Sequence, residues 1–317
     1  MSKQLSAVTF GEPMAMFYAN EAGPLHEVTS FSKALAGAES NVATGLSRLE
    51  HTTGYVTKLG EDNFGQFIAM ALSRENIDTD SITFTKEAPT GMLIKSKVLT
   101  GDPKVEYFRK NSAASKLSLA DFDEAYFASA GHLHVTSISS ALSKTCHEFS
   151  LHAMEFMKKS GKTVSLDPNL RPTLWPDKET MVAAINDLAT RCDWFLPGLG
   201  EGKILTGLET PEEIAAYYLE RGVSLVVIKL GPEGAYYKTA TGEEGYVNGF
   251  KVEEVVDTVG AGDGFAVGVI SAMLEKLPVA EAVRRGNAIG ALAVMSPGDM
   301  DGLPTRDKLE SFMKAGV

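Results

Sequence analysis

From about residue 120 onward, apolar runs rich in β-branched and aromatic residues alternate with stretches whose apolar positions recur at helical spacing. That alternation is the signature of a doubly wound α/β sheet. The helix limits are legible. Within 178–192, Met181, Ile185, Leu188 and Cys192 share one helical stripe, and Asp193-Trp-Phe-Leu-Pro197 follows as a short buried strand. Thr210-Pro-Glu-Glu213 combines an N-cap, a proline at the first helical position and a capping-box glutamate, with Gly222 closing the helix. Residues 223–230 then form a continuous apolar run of the kind found in parallel strands buried on both faces. Nearer the N-terminus, Val42, Leu46 and Leu49 mark a helix after Gly37, and a second helix from Phe64 to Arg74 turns Phe67, Ile68, Ala71 and Leu72 inward.

Two stretches depart from this rhythm. About 14–31 and 90–110 are β-rich without intervening helices, and Thr100-Gly-Asp-Pro103 has the composition of a hairpin turn. They predict a small sheet projecting from the main domain, with extra edge strands of the central sheet as the alternative. No repeat or linker divides the chain, so one domain spanning 1–317 is expected.

Composition narrows the function. The 317 residues are 44% hydrophobic and contain no apolar run of the ~20 residues needed to cross a bilayer. The first residues lack the apolar run of a signal peptide, so a cytoplasmic protein is expected. Cys146 and Cys192 lie far apart in helical patterns and predict buried thiols, not a disulfide or a metal site. A net charge of −11 disfavours nucleic acid and anionic membranes, and leaves any anionic substrate to local clusters of arginine.

The most informative chemistry lies in Asp257-Thr-Val-Gly-Ala-Gly-Asp263, a glycine-rich turn that opens an apolar helix. Gly260, Ala261 and Gly262 let a ligand approach the backbone, and the free N–H groups of a helix start attract an anion. No GxxxxGK[ST] occurs, since Gly202-Lys203-Ile204 lacks the hydroxyl, and a dinucleotide fingerprint would follow an early strand. Asp263 therefore sits where a transferred anionic group would dock.

Together with Ala36-Gly37-Ala-Glu-Ser-Asn41-Val-Ala43-Thr-Gly-Leu-Ser-Arg48-Leu49, this turn resembles the paired signatures of the ribokinase-like, or PfkB, carbohydrate kinases. The resemblance extends over nearly the whole chain. It implies a ribokinase-like, mainly parallel sheet flanked by helices with a small β-sheet lid, and transfer of phosphate from ATP with Mg²⁺ to a sugar hydroxyl. Within the family, Tyr107-Phe108-Arg109-Lys110 and Leu166-Asp167-Pro168-Asn169-Leu170-Arg171-Pro172 are most similar to the 2-keto-3-deoxygluconate kinases. A keto-deoxy acid carries a carboxylate remote from its phosphorylated hydroxyl, and the guanidinium fork suits it. Arg109 and Arg171 are the candidates, each bond contributing ~1.5–3 kcal/mol. Prolines on both sides stiffen the loop that presents Arg171, whereas Arg109 is equally well read as a structural ion-pair residue and Tyr107 as a lid-strand aromatic.

By the same resemblance, Gly37 and Asn41 contact sugar hydroxyls, and Lys229, Gly231, Gly234, Thr258, Gly260, Gly262 and Asn287 surround ATP. Glu201 reaches Mg²⁺ through water, although Gly198 stands where the family motif has asparagine and Glu201 also reads as a helix-start carboxylate. A monovalent cation such as K⁺ near Asp257 is implied as well. Asp263 would take the hydroxyl proton, and the amides of 260–262 would act as an anion hole. Its place at a helix N-terminus stabilises the carboxylate by ~0.3–2 kcal/mol and weakens it as a base, making it chiefly a positioner. A neutral-sugar kinase of fructokinase or ribokinase type, or a silent sugar or nucleotide sensor on the same fold, are the alternatives. Apolar lid faces lead to an expected homodimer or higher homo-oligomer. His132 and His134 read as structural.

Overall fold

The computed structural model describes residues 4–98, 103–296, 298 and 300–316. Thirteen strands are defined. In chain order they are β1 (Leu5–Phe10), β2 (Met14–Ala22), β3 (Phe31–Ala36), β4 (Thr53–Gly60), β5 (Ile82–Thr85), β6 (Met92–Lys97) and β7 (Val105–Phe108). The second half contributes β8 (Ala130–Thr136), β9 (Thr163–Asp167), β10 (Trp194–Phe195), β11 (Leu225–Lys229), β12 (Gly234–Thr239) and β13 (Glu244–Asn248). Nine form the main sheet in the order β13-β12-β11-β10-β9-β8-β1-β4-β5. Its pairs are parallel from β11 through to β5, and β12 and β13 close the other edge as antiparallel strands.

Within the run at 223–230 the strand is Leu225–Lys229, and its residues 225–228 are buried on both sides because they alternate between two cores. Val226 and Ile228 pack with Phe149, Ile185 and Ile214 on one face, and Leu225 and Val227 pack with Val42, Val267 and Ile289 on the other. The predicted capping box at Thr210 is present, with Pro211 opening the helix Pro211–Leu219. The stripe at 178–192 divides: Met181, Ile185 and Leu188 lie on the helix Lys178–Ala189, while Cys192 is buried in the turn that follows it. In the helix Asn63–Arg74, Ile68 and Leu72 are fully buried, and Phe67 and Ala71 are only partly covered. Lys33 stacks on the Phe67 ring at 4.0 Å, which explains the partial exposure. Both cysteines are free and buried.

A separate four-stranded sheet, ordered β3-β2-β6-β7, is formed by the two irregular stretches together with residues 31–36. The expected turn at Thr100 to Asp102 lies outside the described residues. Among the described residues no helix is long and apolar enough to cross a membrane.

The sheet order reverses on either side of β1, whose neighbours are β4 and β8. In open α/β sheets the crevice beyond the carboxyl ends of such strands is where ligands bind. The chain leaves β1 at Glu12, β8 at Thr136, β9 at Asp167 and β11 at Lys229, so these residues converge at one end of the sheet.

Candidate active site

A cleft of about 410 Å³ opens at that end and is lined by residues of the main sheet, the helix starts and the small sheet. The glycine-rich turn forms one wall. Gly260 is the N-cap of the helix Ala261–Leu274 at φ 80°, a left-handed conformation that glycine adopts without strain. The glycine N-cap supplies no side-chain cap, and the Ala261 N–H reaches the Thr258 carbonyl at 3.4 Å. Asp263 lies in its first turn and is 8% exposed.

Two amides hold that carboxylate. Asn41, on the helix Ala38–Arg48, donates from Nδ2 to Asp263 Oδ2 at 2.7 Å. Asn169, in the loop after β9, donates to Oδ1 at 3.3 Å from a backbone at φ 38° that an Asx turn on Asp167 supports. Gly37 begins the first helix at φ 135°, where a Cβ would stand 2.9 Å from the Glu12 carbonyl. That close approach brings the Glu12 loop and the Asn41 helix together.

Opposite Asp263, Lys229 Nζ donates to Asp167 Oδ2 at 2.7 Å, with side-chain exposures of 17% and 3%. Burial works against the ammonium, but the charges of Asp167, Glu201 and Asp263 outweigh it and hold its pKa above the ordinary lysine value. Lys229 therefore stays charged beside the helix start. Replacing it with methionine strands a buried carboxylate, and Lys229→Met is expected to cost about 3–5 kcal/mol in urea denaturation. An unchanged midpoint would show that Asp167 does not need the pair.

Below the cleft, His132 and His134 are buried around Ser165. His132 contacts Thr163 Oγ1 and Ser165 Oγ, both at 2.8 Å, and stacks on Trp194, while His134 Nδ1 meets Ser165 Oγ at 2.9 Å. Burial pushes the His132 imidazole well below its usual range, and burial plus the charge of Lys229 takes His134 down to about 3. Burial thus favours the neutral form of both rings, and His134 Nε2 has no hydrogen-bond partner among the described residues. The unfolded chain protonates these imidazoles near pH 6.5 and the folded chain does not, so this stability is full above about pH 6.5 and falls as pH drops. The expected loss is up to ~1.4 kcal/mol per pH unit per histidine, read as a urea midpoint that declines from pH 7 to pH 5 and declines less in His134→Gln. A midpoint constant over that interval would contradict the assignment.

The end of the cleft bordered by Glu12 and Glu39 is more acidic than its sequence suggests. Glu12, 2% exposed, accepts from Arg109 Nε at 2.6 Å, pairs with its Nη2 at 2.5 Å and takes the Ser112 hydroxyl on its other oxygen. Arg109 is thus the ion-pair residue that remained open, although it still borders the cleft, with its guanidinium 5.7 Å from the Tyr107 ring. Glu39 accepts from Thr136 and Ser139 hydroxyls, each at 2.6 Å. Burial raises its pKa, and those hydroxyls oppose the shift. Arg171 differs: it is exposed, its Nη1 donates at 2.9 Å to the Leu170 carbonyl, and among the described residues it has no acidic partner.

Glu201 performs the helix-start task. Its Oε2 accepts from Gly198 N at 2.7 Å and its Oε1 from Leu170 N at 2.8 Å, which fixes the Arg171 loop to the helix Leu199–Thr206. Thr258 borders the same cleft, whereas Gly231, Gly234 and Asn287 do not. Asn287 donates both amide hydrogens to the carbonyls of Val247 and Asn248, at 3.0 and 3.1 Å. Gly234 packs against β13, where a Cβ would fall 2.0 Å from the Val247 carbonyl, while Gly231 faces open space at φ 64°. Lys229 lines the cleft with Thr258, Gly260 and Gly262, and a Cβ on Gly262 would stand 3.6 Å from its Nζ. Glu12, Glu39 and Asn169 had no role in the sequence reading; the only local hint was acidic or amide residues directly after apolar strands.

Residues 4–306 match the model of the pfkB family of carbohydrate kinases. The chain belongs to that family. It is a carbohydrate kinase with a ribokinase-like fold. A curated relative, the 2-dehydro-3-deoxygluconokinase of Bacillus subtilis (strain 168), is 60% identical over 313 residues, covering 98% of this chain and 96% of the relative. Among solved structures, a PfkB protein from Polaromonas sp. JS666 is 49% identical with a TM-score of 0.90, covering 97% of this kinase and 99% of that chain. A double mutant of fructokinase from Vibrio cholerae O395, bound to fructose, ADP and a potassium ion, is 27% identical with a TM-score of 0.84, covering 99% of this kinase and all of that chain.

Proposed function

We propose that this kinase transfers the γ-phosphoryl group of Mg·ATP to the terminal hydroxyl of 2-keto-3-deoxygluconate. One observation carries the reading: a single cleft joins an amide-held carboxylate at a glycine-capped helix start to an exposed arginine that has no acidic partner among the described residues. The name of the 60% identical relative supports the same substrate.

Asp263 accepts the hydroxyl proton as the substrate oxygen forms its bond to phosphorus and the bond to ADP breaks. Hydrogen bonds from Asn41 and Asn169 favour its charged form, so its principal contribution is orientation. The amides of 260–262 receive the charge that develops on the phosphoryl oxygens, and Lys229 adds a fixed positive charge nearby. Thr258 borders the nucleotide end, and Gly231 leaves room for adenosine beside the backbone. Gly37 and Tyr107 bound the sugar, and Arg171 takes its carboxylate. Magnesium, when bound with the nucleotide, neutralises phosphate charge. Among the described residues no three metal-ligating side chains converge, and Glu201, which lines the cleft, has backbone N–H groups on both oxygens, so an ion there would be held chiefly by phosphate and water. The small sheet serves as a lid that excludes water from the transfer.

A neutral-sugar kinase is the second reading, favoured by the Glu12–Arg109 pair. That pair cancels one of the two guanidinium charges and leaves buried acceptors suited to sugar hydroxyls. The product distinguishes the chemistry of the first reading. Phosphorus NMR of the reaction with 2-keto-3-deoxygluconate should give one monoester coupled to a CH₂ group. A product phosphorylated at a secondary hydroxyl, or none, would overturn the proposed orientation.

A further inference from the structure

The loop leading into the anion-binding turn is gripped by a lysine from the small sheet. Lys95, on β6, brings Nζ to 2.7 Å from Asp257 Oδ2, and the two side chains are only 8% and 12% exposed. The second oxygen, Oδ1, accepts the Val259 N–H at 3.0 Å. Asp257 therefore shapes the turn through one oxygen and carries a protein cation on the other. Its own N–H, with that of Val256, is anchored to the Val294 carbonyl at the end of the helix Val279–Val294.

The family resemblance implies a monovalent cation near Asp257, and the Vibrio cholerae fructokinase structure contains potassium. The described residues of this chain around Asp257 do not fit such an ion. An ammonium already stands at contact distance from the carboxylate oxygen that would hold it, and a second cation there would be repelled across a few ångströms of buried space. We propose that Lys95 Nζ takes the place of the monovalent cation, so that phosphoryl transfer in this kinase does not depend on potassium.

Two consequences follow from a cation that is covalently part of the small sheet. First, the charge of Asp257, six residues before Asp263 and next to Thr258, is offset without recruiting an ion, so it does not repel an incoming phosphate. Second, the position of the sheet and the order of the turn are coupled through one buried ion pair. Lys95 meets the Asp257 carboxylate and is a positioning residue that acts through it.

The inference rests on the kinase activity of the cleft, so the test includes a readout that needs no substrate. Melting temperature and turnover are measured in 100 mM KCl and in 100 mM choline chloride for the wild type, Lys95→Met and Lys95→Arg. The wild type should melt within about 1 °C and turn over within twofold in the two salts. In choline, Lys95→Met should lose tenfold or more in kcat with KM for ATP changed less than threefold, and KCl should return at least threefold of that loss. Lys95→Arg, which keeps the charge, should stay within threefold of wild type. Potassium activating the wild type fivefold or more, or raising its melting temperature by several degrees, would overturn the proposal. So would a Lys95→Met that turns over normally in choline, or a Lys95→Arg as impaired as Lys95→Met, which would make the role one of packing. Because the melting comparison is made without sugar, it stands even if the keto-deoxy acid is not the substrate.

Discussion

Replacing Asp263 by asparagine is expected to lower kcat by ~10²–10⁴-fold while leaving the protein folded. The substitution is isosteric, and the helix that begins at Gly260 keeps its packing because its burial comes from the apolar residues after Asp263. What changes is local. A carboxylate that accepts from Asn41 on Oδ2 and from Asn169 on Oδ1 becomes an amide with a single acceptor, and it can no longer take a proton. Coupled ADP release with saturating sugar measures the loss, and a melting temperature within a few degrees of wild type shows that it is chemical. Near-wild-type turnover would assign proton acceptance to another group. Removing a clamp separates orientation from chemistry: Asn41→Ala should lower kcat with KM little changed, since its side chain spans to the base.

Arg171→Ala is expected to raise KM for 2-keto-3-deoxygluconate by about 10–100-fold, the equivalent of the ~1.5–3 kcal/mol that a charge-assisted bond to a carboxylate contributes. KM for fructose or ribose should stay within twofold, because neither carries the charged group. Arg171 suits this test because, among the described residues, its guanidinium has only a backbone carbonyl as partner. Arg109 does not, since its removal strands Glu12, a carboxylate that is fully buried, and the resulting instability would obscure any effect on specificity. An equal rise in KM for acid and neutral sugar would mean that Arg171 supports the loop and does not recognise the carboxylate.

Features of this kinase that depend on neighbouring residues could be read from the chain. The capping box at Thr210, the buried run before Lys229 and the glycine turn ahead of Asp263 each follow from local conformational preference. The two irregular stretches pointed to the small sheet for the same reason, although β3 continues past the stretch taken as β-rich. Pairings made by the sheet order were not visible. Asn41 and Asp263 are 222 residues apart, Lys95 and Asp257 are 162 apart, and Glu12 and Arg109 are 97 apart. Each joins elements whose adjacency exists only after β1 lies between β4 and β8 and the small sheet folds over the cleft. The Asn41 amide nitrogen donates to Asp263, a bond that sequence resemblance did not imply, and Asn41 also borders the cleft where the resemblance placed a sugar hydroxyl. Glu201 similarly spends both oxygens on backbone N–H groups, a role that its spacing from Gly198 suggested and its pairing with Leu170 did not.

The most direct test of the central claim is the ratio of kcat/KM values across a substrate panel, measured by coupled ADP release with Mg·ATP. If the Arg171 side of the cleft recognises a carboxylate, 2-keto-3-deoxygluconate should exceed fructose and ribose by at least tenfold. Fructose or ribose matching or exceeding the keto-deoxy acid would contradict the account.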